Sequence, residues 1–454
     1  MEVTFVHCVG LILFVILLYL ISYRETLAIA FYHMLNLSSL SALAELPLVA
    51  EPLASDRIFS FARCRRNSNF LDRICYLENV CWNNSGRTWV FFENPASTPL
   101  MLATKDGTIP LRKVIPLVQL RREEQDFPFS LSFEAGPIPN SSVMLKQKVH
   151  ILFEMFWAEN YGHALCDDIL PAYSLMREFN LVTRDVQIMT PADCCSRLPE
   201  DETARGRKFL NFFTSLISDY KLLDLSQSFP KLSSDYICVS KLLVGHGRMG
   251  LAFDQGRAWP DFIKTCIQSA ASKWRNVREA VSMPITKQKI IVLQKHGRRR
   301  LLNHNELVRD LRNTFNVDVD SVDPSKLPLP EQVALAQRAT VIISPCGGIS
   351  FFSAFLRKHT STVFIGYWDT GSNSSRNMEE PFWKWLPHLT DLYYDVRLEE
   401  VTILSPGNRT ARNFIDYRNY GSTTVNLNRM RSLIASALFS SEHNLKLAPH
   451  SFRN

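Results

Sequence analysis

The sequence predicts an α/β protein built as two lobes behind an N-terminal transmembrane anchor. Three observations predict it. From Lys287 onward, short apolar runs of β type alternate regularly with helical runs. Before that point the same two kinds of segment occur with less regular spacing. Finally, Val3–Tyr23 carries no charge, is rich in Leu, Ile, Val and Phe, and matches the roughly 20 residues that a helix needs to span a bilayer.

Glu2 precedes the anchor and Arg24 follows it, so flanking charge does not by itself favour a cytosolic N-terminus. Ala28-Ile-Ala30 resembles a signal-peptidase site. A secretory h-region runs to only about 7–15 residues, which makes an uncleaved signal anchor the preferred reading and a cleaved signal peptide the alternative. Both send the bulk of the chain into the secretory lumen, as a single-pass type II protein of the Golgi or endoplasmic reticulum membrane in the first case. Five Asn-X-Ser/Thr sequons, at Asn36, Asn83, Asn140, Asn373 and Asn408, agree with that. Nine of the 10 cysteines follow the anchor, with Cys64, Cys75 and Cys81 clustered and Cys194 next to Cys195. In an oxidising lumen several should pair, and an odd number leaves one thiol over. Their spacing shows no CxxC pair and no Cys/His quartet for zinc.

The chain has 454 residues, 46% hydrophobic and 21% charged, ample for a globular core and for two domains. Its net charge is +7. No basic tail or basic–aromatic interleaving points to nucleic acid, whereas a mild basic excess suits a small anionic ligand such as a nucleotide diphosphate.

Taken in order, residues 1–23 read as a cytosolic stub with the anchor, and 24–60 as a stem rich in Leu, Ala and Ser. A first lobe covers 61–283. It holds the cysteine cluster, β-type runs at Thr88–Phe92, Val149–Met155, Asp185–Thr190 and Tyr236–Val244 (the last broken near Lys241), and helical runs at Ala172–Phe179, Phe209–Leu216 and Trp259–Val277. The boundary falls near Ser282–Gln288. A second lobe covers 284–440, with strands at Lys289–Gln294, Val317–Val322, Thr340–Ser344 and Thr362–Ile365. Helices alternate with them at Asn303–Phe315, Leu329–Arg338 and Ser350–Lys358. Strands alternating with helices at this spacing form a parallel sheet with right-handed crossovers, a Rossmann-like unit. Residues 441–454 are a tail.

Three places carry the chemistry. In Asn160-Tyr-Gly-His163-Ala-Leu-Cys-Asp167-Asp168, the spacing of His163 and Asp167 puts both on one face of a helix or tight turn. An imidazole held by a carboxylate is a ready proton acceptor, although the same pair also occurs as a purely structural contact. In Cys346-Gly347-Gly348, between a strand and a helix, glycines let the backbone approach a ligand and the helix start offers N–H groups to an anion. The run Lys295-His-Gly-Arg298-Arg299-Arg300 follows the first strand of the second lobe, at the same sheet edge, where guanidinium groups can hold phosphates. Just beyond it, Asn303 and Glu306 have the spacing of a helix capping box, with a ribose contact by Glu306 as the alternative.

Four stretches in this order resemble glycosyltransferase family 61: Cys75-Tyr-Leu-Glu-Asn-Val-Cys81 with Trp89-Val-Phe-Phe92; Asn160 through His163, Asp167 and Asp168 to Pro171; Arg299 through Asn303 to Glu306; and Ile343-Ser-Pro-Cys-Gly-Gly348. The resemblance covers roughly Cys64 to Val396. The resemblance implies a two-lobed GT-B fold with a nucleotide-sugar donor in the second lobe and inverting transfer to a glycan or glycoprotein hydroxyl, with xylose and GlcNAc the sugars such members add. On that basis His163 is the base and Asp167 its orienting partner, or Asp168 is the base instead. Lys295, Arg299, Asn303, Glu306, Cys346, Gly347 and Gly348 form the donor side, and no metal or other cofactor is needed, Mn²⁺ on Asp167-Asp168 being the alternative. Two departures stand out. Gln294-Lys295 replaces a frequent Ser-Arg pair, which keeps the charge but loses the fork. Cys346 replaces a frequent His, and a thiol cannot shuttle protons at neutral pH without a depressed pKa. A fold-retaining luminal binding protein without activity is therefore the second reading, with Cys346 as the leftover thiol. A third, acyl transfer through His-x-x-x-Asp, is disfavoured because Asp168 stands where those enzymes carry Gly.

Overall fold

The computed structural model describes residues 50–52, 58–65, 74–96, 101–104, 107–110, 131–153, 158–190, 199–245, 256–377, 380–386, 389–403 and 421–443. All belong to one unit that begins at Ala50. The anchor, most of the stem, Cys194-Cys195, Asn36, Asn408 and the tail beyond residue 443 lie outside the described residues. Among the described residues no helix is long and apolar enough to cross a membrane.

The first half builds a ten-stranded mixed sheet among the described residues. Its centre is β1 (Ile74–Asn83), β2 (Val149–Leu152), β3 (Val186–Thr190) and β4 (Tyr236–Val244). β2 lies parallel to both β3 and β4, and β1 runs antiparallel to β4. Two disulfides staple register partners: Cys64 to Cys75, joining Phe61–Arg65 to β1, and Cys81 to Cys238, joining β1 to β4 across 157 residues. The expected pairing of several cysteines is thus met. β4 runs unbroken through Lys241.

The second half builds a five-stranded sheet, all parallel: β5 (Lys289–Leu293), β6 (Asp318–Val322), β7 (Val341–Pro345), β8 (Thr360–Ile365) and β9 (Leu389–Tyr394), in the order β6-β5-β7-β8-β9. Every residue of β7, β8 and β9 is buried, as strands covered on both faces must be. One face receives α5 (His304–Thr314) and α7 (Leu427–Glu442), whose Leu307, Leu311, Met430, Leu433 and Ile434 pack on Ile290, Val292, Ile343 and Val363. On the other face, Ile291, Ile342 and Phe364 join an apolar cluster that continues through α6 (Leu329–Arg338) to Val149, Ile151 and Ile188 of the first sheet. The rings of Phe364 and Trp383 stack within it at 4.8 Å. This shared core is why both sheets belong to one unit.

Three helical expectations need correction. Ser350–Lys358 is not an α-helix: Gly348–Phe355 winds as 3₁₀ turns. Its residues from Ser350 to Phe355 are all buried, so there is no amphipathic face to favour the wider helix, and Phe351 wedges against Phe382 and Trp383. The run Trp259–Val277 is two helices, α3 (Trp259–Lys273) and α4 (Arg275–Ser282). Trp274 between them is extended, its ring against Phe212. Phe209–Leu216 is only the second half of α2 (Glu200–Ile217), whose polar start places Glu200, Asp201 and Glu202 at the helix N-terminus, where the dipole favours them. β9 and α7 were not anticipated.

His150 is wholly buried in β2, opposite Gln187 of β3 and Leu242 of β4. Burial pushes its pKa down to about 3. The unfolded chain therefore binds a proton near pH 6.5 that the native state refuses, and stability falls as pH drops from there toward 3. The limiting slope is about 1.4 kcal/mol per pH unit. Urea denaturation of His150→Leu across pH 4–7 should show an acid slope shallower by one proton than that of the native chain.

Candidate functional site

In an open parallel sheet, ligands gather where the chain leaves adjacent strands toward opposite sides, at the carboxyl ends. Here β5 lies between β6 and β7, so that point falls between β5 and β7. The loops leaving these two strands hold Lys295 and Arg299 on one side and Cys346-Gly347-Gly348 on the other. Lys295 Nζ donates to the Cys346 carbonyl at 2.6 Å. Gly347 has φ +109°, a conformation that a residue with Cβ adopts only under strain. A Cβ there would stand 2.7 Å from Lys295 Nζ and 3.0 Å from Arg299 Nη2. Two cations therefore press against one bare peptide.

The cationic loop is pinned along its length. Gln294 N–H donates to the Val322 carbonyl at 2.7 Å, and His296 Nε2 meets Asp323 Oδ2 at 2.8 Å. Burial alone would raise the Asp323 pKa, but hydrogen bonds from Ser325 and His296 outweigh it and hold that carboxyl below its ordinary value. Gly297 and Arg299 turn the loop with φ of 75° and 55°.

The Asn160–His163 turn of the first half docks directly onto the Gly347–Phe351 turn. A Cβ on Gly348 would sit 2.0 Å from Asn160 Oδ1, and one on Gly162 would sit 2.5 Å from the Phe351 ring and 3.1 Å from Gly348 Cα. Glycine at both positions is what lets the two backbones touch. Asn160 caps its own turn, its Oδ1 accepting from Gly162 N–H at 3.0 Å. His163 ends that turn, and Ala164–Ile169 continues as a π-helical stretch, a rare geometry that often marks functional sites. His163 Nδ1 meets Asp167 Oδ2 at 2.5 Å. Asp167 is nearly buried, while the His163 side chain keeps 28% of its surface in solvent. Asp168 is wholly buried.

The structure thus gathers His163, Asp167, Lys295, Arg299, Cys346, Gly347 and Gly348 around one pair of touching turns. Cys346 contributes its peptide group: its N–H donates to the Ile365 carbonyl and its carbonyl receives Lys295, while its side chain is buried. Asn303 and Glu306 depart from expectation. Asn303 makes no side-chain cap for α5. Its amide instead pairs with the Val425 backbone in both directions, at 2.9 and 3.0 Å, and so cannot also reach its own helix. Glu306 is exposed. Asn160, Gly162 and Phe351 were not singled out as site residues, although the cap signature of Asn160 is legible in Asn160-Tyr-Gly162. Nothing local to Val425 announces its contact. Among the described residues no three His, Cys, Asp or Glu side chains converge as a metal site.

Gly347→Ala adds a contact with Lys295 and Arg299 to backbone strain of about 1–3 kcal/mol. Gly297, also at positive φ, has nothing within 4 Å of an added Cβ. In denaturant titrations Gly347→Ala should therefore lose more stability than Gly297→Ala.

The sequence model of the family described as Glycosyltransferase 61 matches residues 161–363, which take in His163, Asp167, both cationic positions and the glycine turn. The chain is also similar to protein O-linked-mannose beta-1,4-N-acetylglucosaminyltransferase 2 of several vertebrates. Identity is 23% over 301 residues with the Tetraodon nigroviridis protein, covering 63% of this chain and 48% of the relative. It is 22% over 311 residues with that of Mus musculus and 21% over 310 with that of Homo sapiens, each covering 64% of this chain and 50% of the relative. The chain spans about half the length of these relatives. Residues 161–363 of this chain are thus similar to glycosyltransferase family 61.

Proposed function

We propose that the chain is an inverting glycosyltransferase of the secretory pathway. It moves a sugar, GlcNAc before xylose, from a nucleotide-sugar donor to a hydroxyl of a glycan or glycoprotein. The contact between the Asn160–His163 turn and the Gly347-Gly348 turn carries this reading, because it joins the turn that holds His163 to the turn against which Lys295 and Arg299 pack. The names of the relatives favour GlcNAc. The GT-B description, with 61–283 as acceptor side and 284–440 as donor side, rests on the two sheets and the family.

The chemistry follows from the residues. Asp167 accepts the Nδ1–H of His163, which places the ring's lone pair on Nε2. That nitrogen takes the proton from the acceptor hydroxyl as its oxygen forms a bond to the anomeric carbon. The bond from that carbon to the diphosphate breaks on the opposite face, hence inversion. Lys295, Arg299 and the amides at Gly347-Gly348 take up the charge of the departing diphosphate. Neutralisation by side-chain cations assigns no role to a metal. Mn²⁺ on Asp167-Asp168 would need a carboxylate already given to His163 and another wholly buried. Burial equally separates Asp168 from any acceptor, which leaves His163 as the preferred base. The peptide contact of Cys346 with Lys295 explains how a thiol can stand at that position in an active protein. Two disulfides and the sequons support a lumenal setting, and Val3–Tyr23 supports membrane attachment.

Purified full-length protein screened by thermal shift against UDP- and GDP-sugars should melt higher with its donor, since ligand bound to the native state stabilises it by mass action. His163→Ala should then lose transfer of a radiolabelled sugar by roughly 10²–10⁴-fold, the usual worth of a positioned base, and keep donor binding. Arg299→Ala should weaken donor binding instead. Wild-type transfer by His163→Ala would overturn the assignment of the base. Donor binding by the native chain with no transfer to any acceptor would favour a binding protein.

A further inference from the structure

We propose that Asn303 is a positioning residue, which acts on a bound diphosphate only through Arg299 by locking the cationic loop to the segment 421–426. This rests on the donor-site reading above and deepens it, because it moves Asn303 from the donor's contact shell to the support behind it.

The observations are all backbone-scale. Four consecutive residues after Arg299 are tied to two residues of one distant segment, Thr423 and Val425. Thr423 N–H donates to the Arg300 carbonyl at 2.9 Å, and Leu302 N–H donates to the Thr423 carbonyl at 2.8 Å. Leu301 bridges Thr423 in parallel. Asn303 then closes the row: Nδ2 donates to the Val425 carbonyl at 2.9 Å and Oδ1 accepts from Val425 N–H at 3.0 Å. An amide bonded both ways to one residue copies a strand pair with a side chain. It fixes position and rotation together, as two parallel hydrogen bonds must.

The far side of the clamp is itself held. Asn426 N–H donates to Tyr394 Oη at 2.7 Å at the end of β9, and Thr424 N–H donates to the Glu400 carbonyl at 2.8 Å. Arg429 binds Glu400 Oε1 at 3.0 Å and the Asp395 carbonyl at 2.6 Å. The segment is therefore anchored to the sheet that carries Gly347. At the loop's other end, the bond from Gln294 to Val322 and the pair of His296 with Asp323 tie it to β6 and the turn after it. Between these anchors stands Arg299, at φ 55°, its guanidinium against Gly347. A left-handed non-glycine residue persists only where its surroundings over-determine it. Asn303 supplies the side-chain part of that constraint on the C-terminal side. Its amide faces Val425 with one N–H and one lone pair, which fixes the orientation of the group.

The test is a double-mutant cycle read by calorimetric binding of UDP to the full-length protein. Asn303→Ala should weaken UDP on the order of tenfold, and in an Arg299→Ala background it should add almost nothing, since the only path for its effect is already gone. Asn303→Asp keeps the bond from Val425 N–H but sets a carboxylate against the Val425 carbonyl, so its affinity should fall between native and Asn303→Ala. It also serves if Asn303→Ala does not fold. Amide exchange of Leu302 and Thr423 should quicken in whichever variant is used. Native UDP affinity in a folded Asn303→Ala, or losses that multiply in the double variant, would overturn the proposal. A native chain that binds neither UDP nor GDP would overturn the function proposed above. Exchange would still decide the clamp: unchanged protection of Leu302 in the variant would refute it.

Discussion

Two glycine-bearing turns touch, and the site exists because they can. A Cβ on Gly162 would stand 3.1 Å from Gly348 Cα, and Gly348 in turn lies under the Asn160 side chain. A methyl at either place meets atoms that have nowhere cheap to go: Asn160 Oδ1 is already fixed by Gly162 N–H, and the Phe351 ring is wedged among Phe382 and Trp383. Close-packed interiors give little at such contacts. The contact ties the turn that carries His163 to the turn against which Lys295 and Arg299 pack. It is made of backbone, so it is less compliant than any side-chain bridge.

Charge placement follows from that geometry. Cations near a sheet edge need partners, and Lys295 finds one in the Cys346 carbonyl. His296 is treated the other way: it is paired with Asp323, and serves to hold the loop. Two basic residues of the same loop thus take different partners, a carbonyl and a carboxylate. On the first half the division recurs in acids. Asp167 orients His163, while its neighbour Asp168 is withdrawn into the core.

Much of the fold was legible because its signals are local. Buried parallel strands carry continuous apolar runs, and Ile290–Leu293, Val341–Ile343 and Val363–Ile365 are such runs. The helices that failed did so for local rules overridden by packing. Ser350–Lys358 reads as the helix that follows a strand in an alternating pattern, yet burial of Ser350–Phe355 left the tighter winding as the one that fits Phe351. Asn303 and Glu306 have the spacing of a capping box, but a paired bond to Val425, 122 residues away, competes better for the amide than the helix start does. The glycines at 347 and 348 could be read as a turn for an anion; that Gly162 faces them could not.

By itself the sequence determined which residue types stand at which short spacings: a His four before an Asp, two glycines closing a strand, a cationic run closing another, and cysteines enough for staples. Short spacing is governed by local backbone geometry, which a chain carries with it wherever it goes. Only the tertiary structure decided that β5 and β7 are neighbours, that the loops after them meet across Lys295 and Cys346, and that the Asn160 turn lands on Gly348. Those outcomes depend on strand order and on one apolar cluster shared by both sheets. Contacts of that kind are selected by the burial of the whole chain at once, and no short stretch of residues records them.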